Sequence, residues 1–102
     1  MIYNEKGIDQ NFMDQLKWCR LGAENYSALA QNALGTLYAN GQGVPQDYVR
    51  AHMWFNLASA QDFLDIAKEN RDKIANRMTE QQIAEAQAMA QKCVALHYKQ
   101  CD

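Results

Sequence analysis

Two tryptophans and two glycines recur at one interval. Sliding the chain along itself by 36 positions sets Gly7-Ile8-Asp9-Gln10-Asn11-Phe12 over Gly43-Val44-Pro45-Gln46-Asp47-Tyr48. The same shift pairs Trp18 with Trp54, Leu21 with Leu57, Gly22 with Ala58 and Ala23 with Ser59. An interval of this length marks a stacked repeat, in which a supersecondary unit that cannot bury its apolar face alone leans on the next one. Composition says what the unit is made of. Fifteen Ala, eleven Gln and eight Leu stand against ten β-branched residues and a single Pro. Ala, Leu and Gln lose little freedom in a helix, whereas β-branched side chains favour strands. The expected class is all-α, and the unit is a helix, a Gly-containing loop and a second helix.

The best-preserved copy runs from Ser27 to Gln61. Its first helix is predicted over Ser27 to Ala39, where Ala30, Ala33, Leu34, Leu37 and Tyr38 share one stripe at the spacing of a buried helical face. Asn40-Gly41-Gln42-Gly43 ends it, because Gly adopts the left-handed conformation that closes a helix. Val44, held extended before Pro45, is placed to plug the helix junction. Asp47 is a good N-cap for a second helix to about Ala60, with Ala51, Trp54, Phe55 and Ala58 at core spacing. Gly35 costs about 1 kcal/mol against Ala in mid-helix. Close approach of the partner helix, with Trp54 packed against the gap, is the expected compensation.

The preceding copy is partial. Its second helix is expected over Gln10 to Glu24, with Phe12, Leu16, Trp18 and Leu21 apolar, and its first helix is absent or survives only as Met1-Ile2-Tyr3. Either an array began upstream or the chain starts at half a repeat, and both leave an apolar face unpartnered. After Gln61 the residue pattern stops, since the 36-residue shift puts Asn70 and Arg71 where Leu34 and Gly35 should recur. Two other helices follow. The first, about Asp62 to Arg77, has Phe63, Ile66, Ala67 and Ile74 on one side. Thr79-Glu80-Gln81-Gln82 reads as a capping box. It opens a helix to about Lys99, with Ile83, Ala86, Ala90, Cys93, Val94 and His97 on its stripe. This pair is expected to cover the last apolar face of the stack.

The stretch ALAQNALGTLYANGQGVPQDYVRAHMWFNLA, residues 28–58, resembles the Sel-one-like repeat (SLR), a relative of the tetratricopeptide repeat (TPR). Ala30, Leu34, Gly35, Tyr38, Gly41, Gly43, Val44, Asp47, Ala51, Trp54 and Ala58 answer the family pattern in order. The earlier copy departs from it at Asp14, Gln15 and Gly22. Residues 71–90 look like the helical tail that often follows such repeats in bacterial members. The resemblance implies an α/α superhelix, a TPR-like solenoid of about five antiparallel helices, acting as a scaffold whose concave side binds a peptide or protein segment. First-helix positions beside the core stripe would face that groove: Leu29, Asn32, Thr36, Ala39 and Asn40. The amides could pair with a ligand backbone, and Leu29 could supply an apolar contact.

Catalytic chemistry finds little support. There is no G-x-S-x-G, no S-x-x-K and no K-T-G, and Gly41-Gln42-Gly43 runs into Val-Pro rather than the Gly-Lys-Ser/Thr of a phosphate loop. Some cysteine-rich secreted relatives are linked to β-lactam binding or hydrolysis. This sequence lacks their paired cysteines, so that link is not carried over, and a small hydrolase is the remotest reading. Cys93-x3-His97-x3-Cys101 sets three soft ligands along one side of a helix. Positions eight apart on a helix lie about 12 Å apart along its axis, too far to share one ion or to form a disulfide. A bridge from Cys19 to either requires the fold to bring them together, which nothing in the sequence indicates, and the three cysteines are read as small buried hydrophobes, with no metal and no cofactor expected.

A net charge of −2 argues against nucleic acid and anionic membrane surfaces, which need a basic face. No apolar run is long enough to span a bilayer, and MIYNEKGIDQ lacks the layout of a signal peptide. The expectation is one domain over residues 1–102, with a partial repeat at 1–25, a complete repeat at 26–61 and capping helices at 62–102. It is a non-catalytic interaction scaffold for a protein or peptide. The alternatives are a structural C-terminal cap of a longer array and a homodimer joined through the N-terminal helix. Thiol cysteines favour a reducing, cytoplasmic compartment, with a periplasmic or secreted location the alternative if an export signal has been removed.

Overall fold

Serine, aspartate and threonine each open a helix, as their spacing predicts. In the computed structural model, which describes residues 10–61 and 65–101, α1 spans Gln10–Glu24, α2 Ala28–Asn40, α3 Tyr48–Ser59, α4 Asp65–Ala75 and α5 Glu80–Ala95. The Ser27 hydroxyl accepts from the Ala30 N–H at 3.2 Å, and the Asp47 carboxylate accepts from the Arg50 N–H at 3.1 Å. Thr79 and Gln82 close a reciprocal capping box at 3.1 and 2.9 Å. Gly41 ends α2 at φ 66°, and the Gln42 N–H reaches back to the Leu37 carbonyl at 2.9 Å, the wide turn of a left-handed helix terminus. The described residues are all helix, turn and coil. Phe63 and the Met1-Ile2-Tyr3 stub lie outside them.

The helices stack in chain order. α1 packs on α2, α2 on α3, and α3 on both α4 and α5. Leu34, Tyr38, Ala51, Met53, Trp54, Phe55 and Leu57 build the centre of the core, with Ile74, Ala90 and Cys93 joining from the last two helices. Gly35 stands at the closest crossing. A Cβ there would lie 2.7 Å from Cδ1 and Cε1 of Phe55 and 3.1 Å from the Ala51 carbonyl oxygen. Close approach is thus the reason for a glycine in mid-helix, but the ring that fills the gap is Phe55 and not Trp54.

The 36-residue period outlasts its residues. Shifted by that interval, α2 falls on residues 64–76 and α3 on 84–95, and the chain has α4 at 65–75 and α5 at 80–95. Ile74 is buried where Tyr38 is, Ala90 where Trp54 is, and Cys93 where Leu57 is. The closing pair is therefore a third helical hairpin in register, its signature side chains replaced by smaller ones.

Three expectations fail here. The two tryptophans do not share a setting: Trp54 is 1% exposed and Trp18 71%. α3 has neighbours on both sides, whereas α1 packs chiefly on α2, so Trp18 and Leu21 face outward. Ile66 and Val94, expected in the core, are also exposed.

The third failure is at the end of α5. The helix stops at Ala95 rather than Lys99, because His97, Tyr98 and Gln100 all take positive φ and turn the chain back. That reversal brings the Cα atoms of Cys93 and Cys101 to 5.1 Å and joins them in a disulfide. The 12 Å separation held only for a helix continuing through both. The chain therefore does carry a paired cysteine, the soft-metal triad is gone because both sulfurs are bonded to each other, and Cys19 alone is free. The reversed tail then ties the last hairpin to the first helix. Lys99 Nζ donates to the Glu24 carbonyl at 2.9 Å, and the rings of Tyr98 and Tyr26 meet edge to face at 4.8 Å.

Candidate functional site

First helices of successive hairpins lie side by side in a stack of this kind, and here those helices are α2 and α4. α4 packs on α3, and Asn70 Nδ2 donates across to Asn32 Oδ1 of α2 at 3.1 Å. Below that pair the two helices leave a cleft of about 370 Å³. Thr36, Ala39 and Asn40 form its α2 wall, Tyr48 and Phe55 of α3 its floor, and Asn70, Lys73, Ile74 and Arg77 its far wall. The floor is apolar because Phe55 turns one edge to Gly35 and still borders the opening.

Three of the five residues expected to face the groove thus line one cleft. Asn32 does not line it, and its side-chain Oδ1 accepts from Asn70. Leu29 is 71% exposed and does not line the cleft. Within it, the Thr36 hydroxyl donates to the Asn32 carbonyl at 3.1 Å, and the Tyr48 oxygen accepts from Gln46 at 3.4 Å.

Residue patterns did not point to the α4 wall, because Asn70 and Arg71 break the signature just where Leu34 and Gly35 would recur. The signal that could have found it is the helical register, which survives that break. Two further polar ties were equally silent. Gln31, fully buried, donates to the Ala23 carbonyl at 3.2 Å and accepts from Gln61 at 3.1 Å. Arg20 donates to the Tyr38 hydroxyl at 3.0 Å, binding α1 to α2.

A second hollow of similar size lies on α1, lined by Met13, Leu16, Lys17, Trp18, Arg20, Leu21 and Glu24. It lies on the outward face of α1, where Trp18 and Leu21 are exposed.

Among the described residues, no Cys, Ser or His lines either hollow. Burial pushes the Cys19 thiol up, away from the reactive thiolate. His52 is 3% exposed, and burial, with the Arg71 guanidinium adding to it, holds its imidazole below the ordinary 6.5. Among the described residues no group of three or more His, Cys, Asp or Glu could hold a metal ion, and no helix is long and apolar enough to cross a membrane.

Comparison with known proteins agrees with this geometry. The family model of the Sel1 repeat matches residues 28–63. The chain is similar to a crystal structure described as c5321, a protective antigen present in uropathogenic Escherichia coli strains displaying an SLR fold. The TM-score is 0.82 and the identity 31%, over 94% of this chain. The chain spans 21% of that protein's length. No curated protein matches it.

Proposed function

The chain belongs to the Sel1 (SLR) repeat family, and on that premise we propose that it is a non-catalytic scaffold holding a peptide or protein segment in the cleft between α2 and α4. One observation carries the reading: Thr36, Ala39 and Asn40, three of the groove-facing positions that the family resemblance implies, border the same opening over an apolar floor. Amides at the rim and a ring beneath suit a segment that offers backbone polar groups and one buried side chain. The cleft is small, so a single site of this kind gives modest affinity and gains from neighbouring repeats.

The test is selection of a phage-displayed random dodecapeptide library on the wild-type protein, with counter-selection on Asn40→Trp. Asn40 is exposed at the end of α2, so the variant fills the cleft mouth without disturbing the core. Peptides that bind the wild type and not the variant support the reading; recovery of the same peptides on both refutes it.

The outward face of α1 favours a second reading, self-association through that helix. Trp18 and Leu21 are exposed beside the α1 hollow, and burial of such a patch stabilises association. Sedimentation should then show dimers that Leu21→Gln converts to monomers. On location, the Cys93–Cys101 bond supports an oxidising compartment, periplasmic or extracellular, over the reducing one expected for free thiols.

A further inference from the structure

We infer that the occupant of the α2–α4 cleft is a peptide segment carrying an acidic side chain close to a large apolar one, with Lys73 and Arg77 receiving the carboxylate. The inference deepens the scaffold reading and rests on it. The chain as a whole is acidic, at net charge −2, yet the two ionisable groups charged at neutral pH that line the cleft are both cations. No Asp or Glu lines it. Lys73 stands in the last turn of α4 and Arg77 in the turn that follows it, and both border the same cleft. Neither has a carboxylate partner among the described residues, unlike Arg50 with Asp47 and Arg71 with Asp72.

Cations at the end of a helix also suit its dipole. That role asks nothing of the neighbourhood, whereas here both cations share the cleft with the apolar side chains of Phe55 and Ile74. The combination selects for chemistry as well as for shape. An apolar side chain of the ligand covers Phe55 and Ile74, the adjacent carboxylate meets two donors, and a guanidinium can take it in two parallel hydrogen bonds. At about 370 Å³ the cleft takes a few side chains and not a folded domain. Two cations are also few for a nucleic-acid backbone, whose binding grows with the number of phosphates neutralised.

The dodecapeptide selection decides the matter when its cleft-dependent peptides are sequenced, and the strongest is synthesised with a fluorescent label. Asp or Glu beside Leu, Ile, Phe, Met or Trp should be enriched. Lys73→Gln and Arg77→Gln, both at exposed positions, should each weaken the labelled peptide about two- to fivefold, and added salt should weaken it further. Cleft-dependent peptides without acidic enrichment, or bound equally by both Gln variants, would overturn the inference and leave the scaffold reading standing. Absence of any cleft-dependent peptide overturns both. A 20-nucleotide oligothymidylate that binds more tightly than the peptide, and is lost in the same Gln variants, would overturn it in favour of a phosphate site.

Discussion

Replacing Gly35 with alanine sets two opposed quantities against each other at one atom. Alanine in place of a mid-helix glycine is worth about 1 kcal/mol through restricted backbone freedom. The added Cβ would stand 2.7 Å from two carbons of the Phe55 ring and 3.1 Å from the Ala51 carbonyl oxygen. Phe55 is 3% exposed and held by the core, so the ring cannot simply swing aside. Overpacking a filled core costs about 1–3 kcal/mol. Two contacts at 2.7 Å put this site in the upper part of that range, about 2–3 kcal/mol, so Gly35→Ala is expected to be less stable than the wild type by about 1–2 kcal/mol net, a fall in Tm of roughly 5–15 °C for a domain this size. Urea unfolding followed by far-UV circular dichroism reads it, with an unchanged slope marking a real stability difference. Trimming the ring should relieve the clash. In a double-mutant cycle with Phe55→Leu, the alanine should then be about 1 kcal/mol or more less harmful. An alanine variant as stable as the wild type, or more so, would refute the packing argument outright.

Other perturbations separate features that look alike in sequence. Trp54→Ala should cost about 3–5 kcal/mol and Trp18→Ala under about 1, as thermal melts of both will show. The disulfide closes a loop with a separation of 8 residues, for which chain entropy gives about 2.5 kcal/mol. A dithiol reductant should therefore lower the wild-type Tm by about 10–20 °C and leave Cys101→Ser unmoved. Equal melts with and without reductant, once mass spectrometry confirms two new thiols, would refute this. His52 is held below its ordinary 6.5 by burial, and its Nδ1 has no hydrogen-bond partner among the described residues. The folded state thus binds fewer protons than the unfolded chain just below that value. Stability should be fully present above about pH 6.5 and decline as the pH falls through the folded-state value. The decline should be shallower in His52→Gln.

What could be read before folding was what local physics decides. Ser27, Asp47 and Thr79 cap helices through their own side chains, and Gly41 closes α2 through its own φ, so none depends on distant packing. Trp18 is the opposite case. The interval pairing it with Trp54 is correct as helix register, but burial belongs to what lies on the far side of a helix, and among the described residues α1 lacks the neighbours that α3 has. The cysteines were misread for a similar reason. Helical spacing was carried through residue 101, whereas a turn built from His97, Tyr98 and Gln100 at positive φ uses residue types that do not announce it as glycine would. The α4 wall of the cleft was hidden because register persists while identities change: a third hairpin needs apolar residues at a few contact points, and Ile74, Ala90 and Cys93 suffice.

Phe55 links the stability of this hairpin to its proposed use. One edge of the ring lies where a side chain at position 35 would go, and the same residue floors the cleft. The glycine that lets α2 approach α3 therefore also fixes the height of the floor on which a ligand side chain would rest. Displacing the ring by a few tenths of an ångström to admit a methyl group forfeits dispersion contacts on its cleft side, where no other atom replaces them. Gly35→Ala should consequently weaken the labelled peptide at 10 °C, well below its unfolding transition, by more than Asn70→Ala weakens it from the rim. Fluorescence polarisation on the two variants, each shown to be folded, makes the comparison. Full affinity in Gly35→Ala together with the expected loss of stability would mean that the ring moves without altering the opening, and that Phe55 serves the core alone.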